Sequence, residues 1–335
     1  MLEPPDVNHD TILGQLSAQF GITATALEFI PSGEDSSAWA YRAETADGSA
    51  YVLKLRRGQV NQAGLTIPRY LQEQGLPHIV APVPGRNGAL SVTANDFAWM
   101  VYPFVAGSSA HEAGMSEAQW IEYGSALRQI HGTTLSSHLL DTVRRESYVP
   151  KATQLIMELD AHVGMRQFSD QVEETLVAVW RARRGQIREL ADRAGALGLR
   201  LRQKHPPEVL CHADIHTANV LLDAAGQLWI VDWDEVMLAP KERDLMFVVG
   251  GLGSEWVNPQ QTTWFFRGYG RVMVDPLALA FYRYDWAVQD IAEYAARVML
   301  RPELGAESKR SALGWFMKQF DRGGMVDVAE SSRLV

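Results

Sequence analysis

Only one of the 335 residues is a cysteine, Cys211, so no internal disulfide can form. Burial and hydrogen bonding must hold the core, which fits a reducing compartment. The chain also lacks any uninterrupted apolar run of the roughly 20 residues that a membrane-spanning helix needs. Its first ten residues, Met1 to Asp10, have neither a basic segment nor an apolar one. No signal peptide is expected, and a cytoplasmic location is the reading. Basic residues are the minority: 31 Lys and Arg stand against 40 Asp and Glu, for a net charge of −9. That balance argues against nucleic acid or an anionic membrane as a main partner and favours a cationic ligand. There is no internal repeat, no low-complexity segment, no G-x-G-x-x-G and no Walker A sequence. Nothing points to an obligate protein partner. What remains is an ordinary globular composition, 47% hydrophobic and 21% charged, long enough for two domains.

The first hundred residues are β-rich. Ile12, Leu13, Leu16 and Phe20 have helical spacing. Residues 26–31 and 38–44 read as strands, and Asp47-Gly48 is a turn signal before a partner strand over 50–55. A helix is expected over 66–74, with Pro68 in its first turn, and a strand over 97–102. The chain then turns helical. Ser116 and Gln119 form a capping box, and residues 171–203 carry a long Arg-rich amphipathic pattern. Further helices are expected near 241–250, 260–268 and 276–300. The expectation is an α+β protein of two lobes, 1–103 and 104–335, joined near 102–107.

One segment carries most of the chemistry. Leu210-Cys-His-Ala-Asp-Ile-His-Thr-Ala-Asn-Val-Leu-Leu222 is followed, after a turn containing Gly226, by Leu228-Trp-Ile-Val-Asp-Trp-Asp234. It reads as a loop, a hairpin and a strand. The hairpin folds Asn219 and Asp232 back toward each other. A loop acid (Asp214), an amide a few residues on (Asn219) and a second acid beyond a hairpin (Asp232) suit ATP-dependent phosphoryl transfer. Asp214 would orient an acceptor hydroxyl and take its proton. Asn219 and Asp232 would hold Mg2+, which prefers hard oxygen ligands. Asp234 falls on the same side of a continuing strand as Asp232, and with Glu235 it could meet metal or substrate or simply be solvated.

The same residues admit other readings. His212, Asp214 and His216 could ligate zinc, but the segment has no helical stripe and no further histidine follows in a ligand arrangement. His212 better fits packing and hydrogen bonding that hold the loop. Cys211 beside His212 could be a nucleophile, but neighbouring strand residues face opposite ways, so a buried small residue fits better. Lys54, inside the apolar strand Tyr51-Val-Leu-Lys-Leu55, shares a face with Val52. Either it snorkels at an edge or it meets nucleotide phosphates. The loop Pro31-Ser-Gly-Glu-Asp-Ser-Ser37, through Gly33 and Ser36, could cover phosphates with backbone N–H groups or be an ordinary turn.

Taken together, His212-x-Asp214-x-x-x-x-Asn219, Asp232-x-Asp234, Lys54 and Tyr102-Pro-Phe-Val105 resemble the aminoglycoside phosphotransferase family. The run Asp232 to Met246 is most like the spectinomycin phosphotransferase branch. The resemblance implies a bilobal protein-kinase-like fold with ATP and Mg2+ as cofactors. Asp214 would be the catalytic base, with Asn219 and Asp232 on magnesium and Lys54 on the ATP phosphates. The backbone of Pro103 and Val105 would read adenine, and Asp244 would brace the catalytic loop. The acceptor would be a hydroxyl of a cationic aminocyclitol, spectinomycin by first expectation. Asp285, Trp286 and Asp290 offer acids and an aromatic wall for it, though Trp286 reads equally well as core and the acids as surface. The same machinery would serve a choline- or homoserine-type kinase, or a non-catalytic nucleotide-binding module.

The chain departs from the family pattern in one place. Kinase-like enzymes pair the strand lysine with a Glu on the next helix, yet no acid lies between Lys54 and Glu73. Gln62 stands near the expected position and could hydrogen-bond to Lys54, but it cannot neutralise it.

Overall fold

The computed structural model describes residues 3–31, 37–165, 170–252 and 256–333. Gly33 and Ser36 lie outside them. In chain order the elements are α1 (His9–Gln15), β1 (Ala24–Ile30), β2 (Ala38–Thr45), β3 (Ala50–Arg56), α2 (Ala63–Glu73), β4 (Val92–Ala94), β5 (Phe97–Pro103), β6 (Gly107–Ser109), α3 (Ala110–Ala113), α4 (Glu117–His131) and α5 (Ser137–Leu140). There follow α6 (Thr153–Met165), α7 (Gln171–Lys204), β7 (Val209–Cys211), β8 (Val220–Asp223), β9 (Leu228–Ile230), β10 (Met237–Ala239), α8 (Glu242–Leu245), α9 (Pro259–Tyr269), α10 (Pro276–Met299), α11 (Ala306–Lys318) and α12 (Met325–Glu330). A sheet-rich N-terminal region and a helical C-terminal region make a mixed α+β protein. It forms two compact units, Met1–Arg144 with His212–Met237, and Arg145–Cys211 with Leu238–Val335.

In the first unit a five-stranded antiparallel sheet runs β1-β2-β3-β5-β4. Strand alternation sorts its side chains. Trp39, Tyr41, Leu53, Leu55, Phe97, Trp99 and Val101 face one way and bury against Ile12, Leu16 and Phe20. Ile12 lies in α1, and Leu16 and Phe20 lie on its π-helical continuation Leu16–Phe20, stopped by Gly21 at φ 73°. The opposite face is thinner, with Ala98 and Met100 packing on Leu65 of α2. Lys54 and Arg56, out of phase with Leu53 and Leu55, belong to this second face.

Helix α2 begins at Ala63, three residues before the expected start, so Pro68 sits in its interior rather than its first turn. The Asn61 side chain accepts from Ala63 N–H at 3.2 Å and organises that start. Proline costs one intrahelical bond here. The small first-turn residues give the offsetting gain of close packing: a Cβ on Gly64 would stand 2.9 Å from the carbonyl oxygen of Trp233. The β8–β9 hairpin, with β6 beside β8, forms a small second sheet. The capping box of α4 is present at Ser116 and Gln119.

The second unit is helical apart from the paired β7 and β10. Helix α7 runs for 34 residues from an Asp170 cap that accepts from Val172 and Glu173 N–H. Helix α10 is buried almost all round, which is why its aromatic and acidic residues do not sort into an inner and an outer face. Helices α6, α11 and α12 lack a pattern strong enough to read from sequence. Among the described residues no helix is long and apolar enough to cross a membrane.

Candidate functional site

The first unit brings Lys54, Asp214, Asn219, Asp232 and Asp234 into two linked clusters. The first is built on the loop after β7. Ala213 at φ 69° and Asp232 at φ 62° both take the left-handed conformation that side chains with a Cβ seldom adopt. Such strain persists only where surrounding bonds impose it. Here His212 imposes it. Its Nδ1 accepts from Asp214 N–H at 3.2 Å, so Nε2 carries the proton and donates to the Val231 carbonyl at 3.0 Å. The ring packs on Trp233 at a centroid distance of 4.6 Å. One buried histidine thus ties the Asp214 loop to the strand end that bears Asp232. From α4, Tyr123 donates its hydroxyl to the Ile215 carbonyl.

Asn219 Nδ2 donates to the Asp214 carbonyl at 2.8 Å and to its Oδ2 at 2.9 Å. That leaves the Asn219 side-chain oxygen directed away from this bond. Val231 N–H donates to the Asn219 carbonyl at 3.1 Å, so the hairpin does bring the amide and the Asp232 strand together. His216 Nε2 lies 3.4 Å from Asp214 Oδ1. Burial, with help from His212, pushes the His216 pKa down to about 4. The ring is therefore neutral at physiological pH, and the contact is not an ion pair.

The second cluster centres on Lys54. Its Nζ donates to Asp232 Oδ1 at 3.0 Å and to Asp234 Oδ2 at 2.8 Å. Burial opposes the ammonium charge, but the two carboxylates outweigh it and hold the lysine well above its ordinary range. In return the Lys54 charge holds the Asp232 carboxyl below the usual range. The Asp232 side chain is 43% exposed, so solvent screens part of this attraction. Arg56, next on the same strand face, reaches Asp234 Oδ2 at 3.4 Å. Among the described residues the Lys54 hydrogen bonds go to these two acids and not to Gln62.

The remaining candidates are placed as follows. Pro103 ends β5 opposite Tyr51, with Val105 two residues on. Glu235 is held by Arg144, whose Nη2 also donates to the Glu235 carbonyl at 2.7 Å. Asp244 is fully buried in the second unit. Cys211 is buried there too, its thiol directed at the Ala239 carbonyl 3.5 Å away, and burial raises its pKa, which removes it as a nucleophile. Asp285 and Trp286 are interior to the second unit, 6% and 8% exposed, while Asp290 is half-buried. Asp285 accepts from Lys151 N–H at 3.2 Å.

Burial pushes the Asp285 pKa up to about 6, against the pull of Arg243 and Lys151. Between about pH 4 and pH 6 the folded chain therefore keeps a proton that the unfolded chain has released, and stability falls as pH rises through that window. Asp285→Asn should stabilise the protein at pH 7.5 by up to about 3 kcal/mol and have little effect below pH 4. Urea melts at the two pH values check this; equal effects at both would be the contrary result.

The profile of the Phosphotransferase enzyme family matches residues 26–282. Protein StrN of Streptomyces griseus is 29% identical over 287 residues, covering 81% of this chain and 79% of StrN. The crystal structure of a spectinomycin phosphotransferase, APH(9)-Ia, with ADP and spectinomycin superposes with a TM-score of 0.86 at 30% identity, over 99% of this chain and 100% of that one. The choline kinase LicA of Streptococcus pneumoniae shares the fold at 14% identity, with a TM-score of 0.55 over 92% of this chain and 98% of that one. By its matched length, and by its likeness to a solved phosphotransferase across the whole chain, this protein belongs to the phosphotransferase enzyme family.

Proposed function

We propose that the protein is an ATP-dependent O-phosphotransferase whose acceptor is a hydroxyl of a cationic aminocyclitol antibiotic, spectinomycin first, and that phosphorylation inactivates the antibiotic. The observation that carries this reading is the end-to-end similarity to a phosphotransferase solved with ADP and spectinomycin. In this reading residues 1–103 form the nucleotide-binding lobe and 104–335 the lobe that holds the acceptor.

The donor set fits a magnesium ion. Asp232 offers a carboxylate and Asn219 a side-chain oxygen not used in its bonds to Asp214, both hard ligands. Bound there, Mg2+ would neutralise charge on the transferred phosphoryl group. The chain's own residues do the rest. Asp214 accepts the hydroxyl proton of the acceptor and aims the oxygen, steadied by Asn219 Nδ2 on its Oδ2. Lys54 exchanges Asp232 for nucleotide phosphate oxygens. Pro103 and Val105 would present backbone groups to adenine, and the backbone N–H groups of Gly33 and Ser36 would cover the phosphates. His212 keeps the loop in register.

The acceptor reading rests on α10. Asp285 is a buried acid whose charge lowers stability, and the Tyr282 hydroxyl and Trp286 Nε1 are buried with no hydrogen-bond partner among the described residues. Buried polar groups left in this state call for a partner, and a bound cationic acceptor would supply one here. Asp290, Glu235 and the net charge of −9 add to the preference for a cationic acceptor.

An acceptor panel decides the matter. Spectinomycin, other aminocyclitols, choline and homoserine are incubated with protein, ATP and Mg2+, and products are read by mass. The expected result is a singly phosphorylated spectinomycin. Phosphorylation of choline with none of spectinomycin would overturn the assignment of the acceptor.

A further inference from the structure

Protein kinases pair the strand lysine with a carboxylate on the next helix, whereas here the following helix has no acid before its last residue, Glu73, which pairs with Arg69. The structure shows Lys54 instead between two acids of the segment that follows β9, where the sequence leads one to expect a continuing strand. These two acids are not equivalent. Asp232 is the more exposed, 43% against 27% for Asp234, and its longer bond to Lys54 is the one that metal and nucleotide would break. Asp234 is held from three sides. Its Oδ2 takes Lys54 at 2.8 Å and Arg56 at 3.4 Å. Its carbonyl accepts from Asn61 Nδ2 at 2.8 Å. Its Cα would lie 3.2 Å from a Cβ on Gly64, the contact that seats the strand end on α2. Lys54 and Arg56 share a strand face, so Arg56 can keep Asp234 in place without competing for the route to Lys54.

We infer that Asp234, anchored by Arg56 and Asn61, is the positioning carboxylate for Lys54 and stands in for the missing helix acid, while Asp232 is left to the metal. The Asp-x-Asp pair thus divides its labour, and Asp234 is neither an acceptor contact nor a second metal ligand. The inference rests on the phosphotransferase reading of the site.

Four variants test it: Asp234→Asn, Arg56→Gln, the double variant and Arg56→Lys. Thermal melts first establish that each is folded, and Arg56→Gln, on a half-buried strand end, keeps the test open if Asp234→Asn is not. ADP affinity is measured by calorimetry in EDTA, without metal, and KM values for ATP and acceptor by steady-state kinetics. Asp234→Asn should weaken metal-free ADP binding and raise the ATP KM by about tenfold, leaving acceptor KM within about twofold. Arg56→Gln should show a smaller loss of the same kind, and the double variant should match Asp234→Asn alone, because Arg56 acts through Asp234. Arg56→Lys should recover most of the loss. A raised acceptor KM with unchanged ADP affinity would make Asp234 a substrate contact and overturn the inference. So would fully additive losses, or a loss seen only in the presence of magnesium. Wild-type protein that binds ADP but phosphorylates no acceptor would defeat the functional reading alone, since the binding arm still reports on Lys54. Wild-type protein that binds no nucleotide would defeat both.

Discussion

Asp214→Asn should lower kcat by about a thousandfold while leaving the fold and the ATP KM nearly unchanged. The substitution is nearly isosteric, and an amide oxygen can still accept from Asn219 Nδ2, which now bonds Asp214 Oδ2 at 2.9 Å. What it removes is the ability to accept a proton from the attacking hydroxyl. It also removes a negative charge that orients that hydroxyl. His216 cannot substitute, although it lies 3.4 Å away. Burial makes its ring a weak base, with a pKa of about 4, and an aid this poorly basic takes few protons at neutral pH. Steady-state rates with saturating acceptor are the measurement. Undiminished turnover in the variant would remove Asp214 from the mechanism. Magnesium-dependent turnover that disappears would exclude a non-catalytic nucleotide-binding module.

The second large effect lies far from the chemistry. Asp160 on α6 is 7% exposed and receives Trp180 Nε1 at 3.0 Å, Arg184 Nε at 2.8 Å and Arg188 Nε at 2.8 Å, all from α7. Asp160→Ala should cost about 2–3 kcal/mol. Most of that comes from Trp180, which is fully buried and would keep an unpaired N–H. The two arginines are about half exposed and regain water, so their share is small. Burial alone would raise the Asp160 pKa, but the three hydrogen bonds outweigh it and hold the carboxyl below the usual range. The charge-dependent part of its contribution is therefore complete at neutral pH and is lost as pH falls through the folded pKa, below about 4, whereas the protonated carboxyl can still accept from Trp180. Urea denaturation at pH 7 and pH 3 checks both parts. A variant as stable as the parent at pH 7 would show the cluster to be ornamental.

The sequence is most readable where function and local pattern coincide. The β8–β9 hairpin follows from apolar runs on either side of Gly226, and the capping box of α4 from Ser116 and Gln119 alone. Strands β2 and β3 follow from alternation and an Asp-Gly turn. Each of these signals is carried by neighbours in the chain. What escapes notice depends on partners far away. Helix α2 starts early because Ala63 and Gly64 fit against the backbone of Trp233 and Asp234, about 170 positions later. No local rule reveals that, and Pro68 argues for a different start. Arg56 is visible in the sequence, and its spacing from Lys54 puts the two on one face. Its carboxylate partner is not visible, because Asp234 reaches it only through the hairpin. Asp285 and Trp286 illustrate another limit. A helix buried on every side has no polar face to read, so the sequence leaves core and ligand site as equal alternatives.

The two bonds from Lys54 join residues 178 and 180 positions apart in the chain. During synthesis at about 5–20 residues per second, Lys54 leaves the ribosome roughly 10–35 s before Asp232. Through that interval the N-terminal sheet can close, since its strands pair with near neighbours, but the ammonium group has no carboxylate to meet. The nascent sheet must therefore be stable with this cation solvated, which the thin second face of the sheet permits. The chain's earliest folded piece is one that cannot yet hold a nucleotide in the proposed manner. Binding competence arrives as a late event, set by the emergence of a single short hairpin.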